Sequence, residues 1–141
     1  MSKLALKAAN EAFYRAFESL DLDAMAQLWA KETSVTCAHP GWDLVVGYQA
    51  VMDSWRAILE NTSEVRFKLE EVHVTSLSDA GWVVSRQVLH APVQGVTVEN
   101  VLIAVNTFVR ENGEFRIAHH HAAPVLTGKP QRDRTPGPVL H

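Results

Sequence analysis

Phe115-Arg116-Ile117-Ala118-His119-His120-His121-Ala122-Ala123-Pro124 is the last apolar run of a 141-residue chain, and it follows Glu111-Asn112-Gly113-Glu114. Asn-Gly tolerates the positive φ that a tight hairpin turn requires, so Val101–Arg110 and Phe115–Ala122 are expected to lie side by side as antiparallel strands. Side chains alternate along a strand. His119 and His121 therefore share one face and His120 takes the other. Three adjacent histidines cannot all do one job, and the functional reading turns on which of them faces inward.

Upstream of this hairpin the apolar period is helical. Ala9, Phe13, Ala16, Phe17 and Leu20 form a stripe on a first helix from about Lys3 to Leu20. Asp21 or Asp23 can cap a short second helix from Leu22 to about Ala30, with Met25, Leu28 and Trp29 inward. Thr33–His39 then reads as a β-branched strand, which Pro40-Gly41 ends. Trp42–Val46 is a turn with two residues of strand. Gly47 precedes a third helix, Tyr48 to about Glu60, on which Val51, Met52, Trp55, Ile58 and Leu59 are buried. Strands follow over Glu64–Ser76, Trp82–Ala91 and Val96–Arg110, before the histidine strand. Helices first and strands afterwards give an α+β class over residues 1–126: three N-terminal helices on one face of a curved, mostly antiparallel sheet. Residues 127–141 are rich in Pro and Gly and are expected to form a C-terminal tail.

The totals narrow the function. Apolar residues at 47% and charged residues at 21% describe one ordinary globular domain. A net charge of −3 gives no electrostatic case for nucleic acid or an anionic membrane. No apolar run approaches the roughly 20 residues of a membrane helix. The single cysteine, Cys37, fits a reducing, cytoplasmic setting.

The order of these features resembles the SnoaL-like branch of the nuclear-transport-factor-2-like superfamily. The residues that carry the likeness are Asp21-Leu22-Asp23-Ala24-Met25 after the first helix, Leu28-Trp29-Ala30 before the first strand, His39-Pro40-Gly41-Trp42 and Gly47 before the third helix, and Asn112–Ile117 into His119-His120-His121 and Pro124. The superfamily includes ketosteroid isomerase, polyketide cyclases, scytalone dehydratase, limonene epoxide hydrolase and the association domain of calcium/calmodulin-dependent kinase. The resemblance implies that the sheet closes into a cone-shaped α+β barrel around a pocket, and that two copies form a homodimer through the sheet. Fold alone does not choose the chemistry. In ketosteroid isomerase a tyrosine and two aspartates act on the substrate. The matching places hold Phe13, Cys37 or His39, and Asn106, so that machinery is not expected here. The Asp-Arg-Asp set of the epoxide hydrolase has no counterpart either.

By the same comparison, Trp82, Val84, Arg86 and Val88 line the cavity with Asn106. Arg86 would hold an anionic oxygen, or else pair with Glu99 or Glu70 on the surface. Asn106 suits a carbonyl or oxyanion. His39 is the general-base candidate, or else a hydrogen-bonded core histidine, and Asp43 is either its partner or a turn residue. For the triple histidine two arguments disagree. Alternation puts Phe115 and Ile117 inward together with His119 and His121. The family comparison, adopted here, puts Ala118, His120 and Ala122 on the pocket face and Phe115 and Ile117 in a dimer interface. His119, His121 and His39 could share a metal, but no Cys-x-x-Cys or His-Glu-x-x-His accompanies them, so no metal and no cofactor is expected.

The resulting expectation is a cofactor-independent isomerase, cyclase or dehydratase working next to a carbonyl. Its catalytic residues are His39, Asn106 and His120, and its ligand is a small apolar molecule with a polar or anionic end, held by Arg86, Phe13, Phe17, Trp55, Val84 and Cys37. The alternative is a non-catalytic binding or dimerisation domain. A catalytic His39 implies a pH limb near neutrality.

Overall fold

The computed structural model describes residues 2–126. The expected tail, His141 included, lies outside the described residues. There are three helices, α1 (Ser2–Glu18), α2 (Leu22–Gln27) and α3 (Tyr48–Glu60), and the two shortest strands fall between α2 and α3. The strands are β1 (Thr36–Ala38), β2 (Val45–Val46), β3 (Arg66–Ser76), β4 (Ala80–Val93), β5 (Val96–Glu111) and β6 (Glu114–Pro124). α1 buries Leu6, Asn10, Phe13 and Tyr14, the i, i+3, i+4 face of one helix. Asp21 caps α2 by accepting a hydrogen bond from the Ala24 amide at 3.0 Å. No helix among the described residues is long and apolar enough to cross a membrane.

The strands form one six-stranded mixed sheet in the order β2-β1-β6-β5-β4-β3. β1 runs parallel to β6 and every other pair is antiparallel. The helices pack on one face around a core that includes Phe13, Tyr14, Trp29, Trp55, Phe108 and Ile117. The sheet is open, with β2 and β3 at its edges, rather than the closed barrel expected from the sequence. Both long hairpins turn on two residues of positive φ: Gln94 and Gly95 at 51° and 80°, Asn112 and Gly113 at 52° and 80°. That geometry twists with the strands, and it carries β4 and β5 further than the expected Pro92–Gly95 turn allows.

The conflict over the histidine strand resolves at a bulge. β5 and β6 pair Phe108 with Ile117 but Thr107 with His119, so Ala118 is an extra residue on β6. It flips the alternation. Phe115 and Ile117 are buried on one side of it, and His120 and Ala122 are buried on the other, all on the same sheet face. Phe115 and Ile117 therefore belong to the core and not to a dimer interface, whereas His120 and Ala122 do face inward.

The bulge marks where β6 exchanges one neighbour for another. Before it, Ile117 bonds backbone to backbone with Leu28 (2.8 Å) and Ala30 (2.9 Å). After it, β1 pairs with His119, His120 and His121. The connecting segment is clamped by Glu111, whose carboxylate accepts from the amides of Lys31, Glu32 and Thr33 at 2.8–2.9 Å. Burial works against that charge, but these amides and the Thr33 hydroxyl outweigh it and hold the carboxyl below its ordinary range.

Register also corrects β4. Asn106 pairs with Val83, so Val83, Ser85, Gln87 and Leu89 face the helices. Trp82, Val84, Arg86 and Val88 lie on the opposite face. Arg86 bonds there to Glu71 at 2.8 Å, and Glu99 instead pairs with His90. Where α1 crosses β4, a Cβ on Gly81 would come within 2.5 Å of Leu6 Cδ1 and 2.6 Å of the Thr75 carbonyl oxygen. The carbonyl belongs to the sheet and cannot retreat. Gly81→Ala is therefore expected to lower the unfolding free energy by about 2 kcal/mol in urea denaturation, and an unchanged midpoint would mean that α1 is not seated as described.

Candidate functional site

Between the helices and the inner sheet face lies a cavity of about 300 Å³. Phe13 and Phe17 of α1, Ile58 of α3 and Thr62 just past it, and Phe67, Leu89 and Leu102 of the sheet supply most of its wall. The polar groups on it are His39, His120, Gln87, Thr62 and the indole of Trp42, and no lining residue carries a formal charge apart from whatever the two histidines take up.

Parallel pairing brings the two histidines together. Cys37 sits beside His120, and His39 follows two residues later on the same face. The imidazole centroids are 6.2 Å apart. Each ring is fixed through one nitrogen. The Ser54 hydroxyl gives its only proton to the Val51 carbonyl at 2.6 Å. The 2.9 Å contact between Ser54 Oγ and His39 Nε2 is therefore an Nε2–H donated by the histidine. His39 Nδ1 is left as the lone-pair nitrogen, with Cys37 Sγ 3.8 Å away. On the other side, Asn106 Nδ2 donates to Asn10 Oδ1 at 2.7 Å, which leaves Asn106 Oδ1 as the acceptor for His120 Nδ1–H at 2.6 Å. His120 Nε2 is the lone-pair nitrogen of that ring.

Burial keeps both rings neutral. It pushes His39 down to about 4. It pushes His120 down to about 3, with the charges of His39, His119 and His121 acting in the same direction. The rings are held in place by aromatic contacts: Trp55 meets His39 edge-on at 4.6 Å, and Phe13 lies 4.8 Å from His120. The Cys37 thiol, buried beneath His39, is pushed up to about 12 and stays protonated.

A second polar chain crosses the floor. The buried Tyr14 hydroxyl donates to Gln87 Oε1 at 2.9 Å. Burial raises its pKa, and the polar side chains of Ser85 and Asn106 oppose that shift. Among the described residues, the buried side-chain nitrogens and oxygens without a partner are Trp29 Nε1 and Trp55 Nε1. His120 Nε2 and Gln87 Nε2 also have no hydrogen-bond partner among the described residues, but they are not sealed in, because both side chains line the cavity.

Residues 6–127 match the family described as SnoaL-like domain. The chain belongs to this family. Its fold is that of the nuclear-transport-factor-2-like superfamily, which includes isomerases, cyclases and dehydratases. The chain is 30% identical to a suggested dehydratase of the NTF2-like family from Streptomyces avermitilis, with a TM-score of 0.83 over 88% of this chain and 96% of that one. It is also 30% identical to a suggested calcium/calmodulin-dependent protein kinase type II association domain from Thiobacillus denitrificans, with a TM-score of 0.75 over 84% and 94% of the two chains. Among curated proteins it is similar to the F-box protein SKIP8 of Arabidopsis thaliana, 29% identical over 86% of this chain, and it spans about half of that protein's length (50%).

Within this SnoaL-like domain the expected site residues separate into layers. Phe13, Phe17, His39 and His120 line the cavity. Asn106, Trp55 and Cys37 stand one layer behind it: Asn106 holds His120, Trp55 backs both rings, and Cys37 lies under His39. Arg86 and Val84 are on the other side of the sheet and touch none of it. Asp43, offered as a partner for His39, accepts instead from the Leu44 amide at 2.7 Å. Sequence reasoning missed Asn10, Tyr14, Ser54, Ser85 and Gln87. The signal was present for Asn10 and Ser54, which fall on the buried stripes of their helices at i, i+3 spacing. A polar residue on an apolar stripe needs a partner, and that need points to a network. The expected cation for an anionic ligand disappears with Arg86.

Proposed function

We propose that this SnoaL-like domain binds a small, mostly apolar molecule and moves a proton next to its carbonyl group, as an isomerase, cyclase or dehydratase would, without needing a cofactor. The observation that carries this reading is the pair of buried, neutral imidazoles. Each has one nitrogen committed to the protein and a lone pair on the other. A neutral base beside an apolar wall takes a C–H proton from a neutral ligand without first desolvating a charge. His120 accepts that proton on Nε2 while the C–H electron pair moves toward the carbonyl oxygen. The imidazolium so formed keeps its Nδ1–H on Asn106, and its Nε2–H then returns the proton to carbon. Asn106 is a positioning residue that sets the tautomer of His120. The aromatic residues Phe13, Phe17 and Trp42 exclude water.

The test is hydrogen–deuterium exchange of β-tetralone, a neutral bicyclic ketone with an acidic C–H next to its carbonyl, in heavy water. The expected result is saturable exchange above the buffer rate. Exchange no faster than buffer, with the ketone bound, would remove proton transfer and leave a binding domain.

The non-catalytic reading has its own support in the outer face of the sheet. Trp82 and Ile103 are 39% and 38% exposed there, beside Val84, Val101 and Val105, which are half-buried. An apolar strip on a sheet centre is a self-association surface. The association-domain relative points to the same use. We assign this face to a second copy of the chain, with either activity of the pocket. Trp82→Glu with Ile103→Glu is expected to convert a dimer to a monomer in analytical ultracentrifugation. A wild-type monomer, or a dimer indifferent to both charges, would overturn the assignment.

A further inference from the structure

We infer that Gln87 is the group that reads the ligand, by donating an N–H to its carbonyl oxygen, and that the pocket therefore selects uncharged ketones and enones over acids. This rests on the pocket reading above and adds to it the chemistry of the ligand.

Gln87 is 5% exposed and lines the cavity. Its amide is not free to turn. The Tyr14 hydroxyl donates to Gln87 Oε1 at 2.9 Å, and that buried bond sets which end of the amide faces Tyr14. With Oε1 committed, Nε2 is left holding two N–H groups, and it has no partner among the described residues. A nearly buried amide nitrogen without a partner leaves a donor unsatisfied, a cost that a ligand acceptor relieves. Asn106 cannot take this role, because both ends of its amide are spent on Asn10 and His120.

The wall excludes charge as well. The neighbouring cation, Arg86, lies on the opposite sheet face in an ion pair with Glu71. A carboxylate entering the cavity would lose its water and gain no counter-charge. A carbonyl needs only the one donor that Gln87 supplies. As a proton leaves the adjacent carbon for His120, negative charge grows on that oxygen, so the same N–H binds the enolate more strongly than the ketone.

Three matched probes separate these statements: β-tetralone, the hydrocarbon tetralin, and the carboxylate of tetralin substituted at the same carbon. Their dissociation constants are measured by equilibrium dialysis at pH 7.5. The full chain is expected to bind the ketone about tenfold more tightly than either of the others. Gln87→Leu is expected to bring ketone and hydrocarbon together, with the hydrocarbon unweakened. Because Gln87→Leu also strands the Tyr14 hydroxyl, Gln87→Leu with Tyr14→Phe is measured beside it and is expected to give the same ranking with restored stability. Tighter binding of the carboxylate, or a ketone preference that survives both variants, would overturn the role of Gln87 while leaving the pocket reading intact. Failure of all three probes to bind would overturn the pocket reading itself and this inference with it.

Discussion

In His120→Ala, deuterium exchange of β-tetralone is expected to fall to the buffer rate, a loss of about 100-fold or more. The argument rests on which nitrogen is free. His120 spends Nδ1–H on Asn106 Oδ1, and no other lining group offers a lone pair in the same place. His39 stands across the cavity, its centroid 6.2 Å away, and its geometry is set by Ser54. It cannot swing into the vacated position without leaving that bond. Removal of a side chain from the core also lowers stability, so the loss alone could be structural. Asn106→Asp separates the two explanations. A carboxylate on His120 Nδ1–H stabilises the imidazolium and raises the pKa of the ring. The acid limb of the exchange rate is then expected to move upward, toward neutrality, by more than one pH unit. If His120→Ala keeps its exchange rate, or if Asn106→Asp leaves the limb in place, His120 is not the base.

The second large effect is acid lability. Both pocket histidines have folded pKa values below the ordinary value of about 6.5: about 4 for His39 and about 3 for His120. Between those values and 6.5 the unfolded chain binds more protons than the folded one, so the stability of the fold rises with pH in that window. The neutral rings contribute fully above pH 6.5, and their contribution is lost as the pH falls toward 4. Each histidine adds a slope of about 1.4 kcal/mol per pH unit at most. With total stabilities of about 5–15 kcal/mol for a domain, urea midpoints are expected to fall steeply from pH 6 to pH 4.5. His120→Leu should flatten that slope by about half even if it lowers the plateau. A midpoint independent of pH over this range would mean that the rings titrate normally. The same shifts move any limb in activity well below the neutral range that an ordinary histidine implies.

The class of fold was legible in the chain because its signals are local. The stripe on α1, the cap at Asp21 and the hairpin at Asn112-Gly113 need only neighbours to be read. The site was less legible because it depends on register. One extra residue, Ala118, decides which histidine faces inward, and nothing in Ile117-Ala118-His119 announces a bulge. The two sequence arguments were each right on one side of it: alternation for Phe115 and Ile117, family comparison for His120 and Ala122. On β4 a parity error of one residue exchanged Gln87 for Arg86, and with it a neutral ligand for an anionic one. Parity follows from pairing with a distant strand, which no window on β4 contains. His39 needed no register beyond its own strand, and its partner Ser54 was hidden only because a serine on a helix stripe reads as filler.

The central claim is that two imidazoles stand neutral in the cavity, each donating one N–H to the protein and keeping a lone pair on the other nitrogen. Nitrogen-15 spectra of histidine-labelled protein, followed from pH 7.5 down to the onset of unfolding, test it directly. The account predicts one ring protonated only at Nδ1 and another only at Nε2, with neither shifting before the fold is lost. If every histidine shows mixed tautomers and titrates together near pH 6.5, the pocket holds no preset base, and the chemistry assigned to it is wrong.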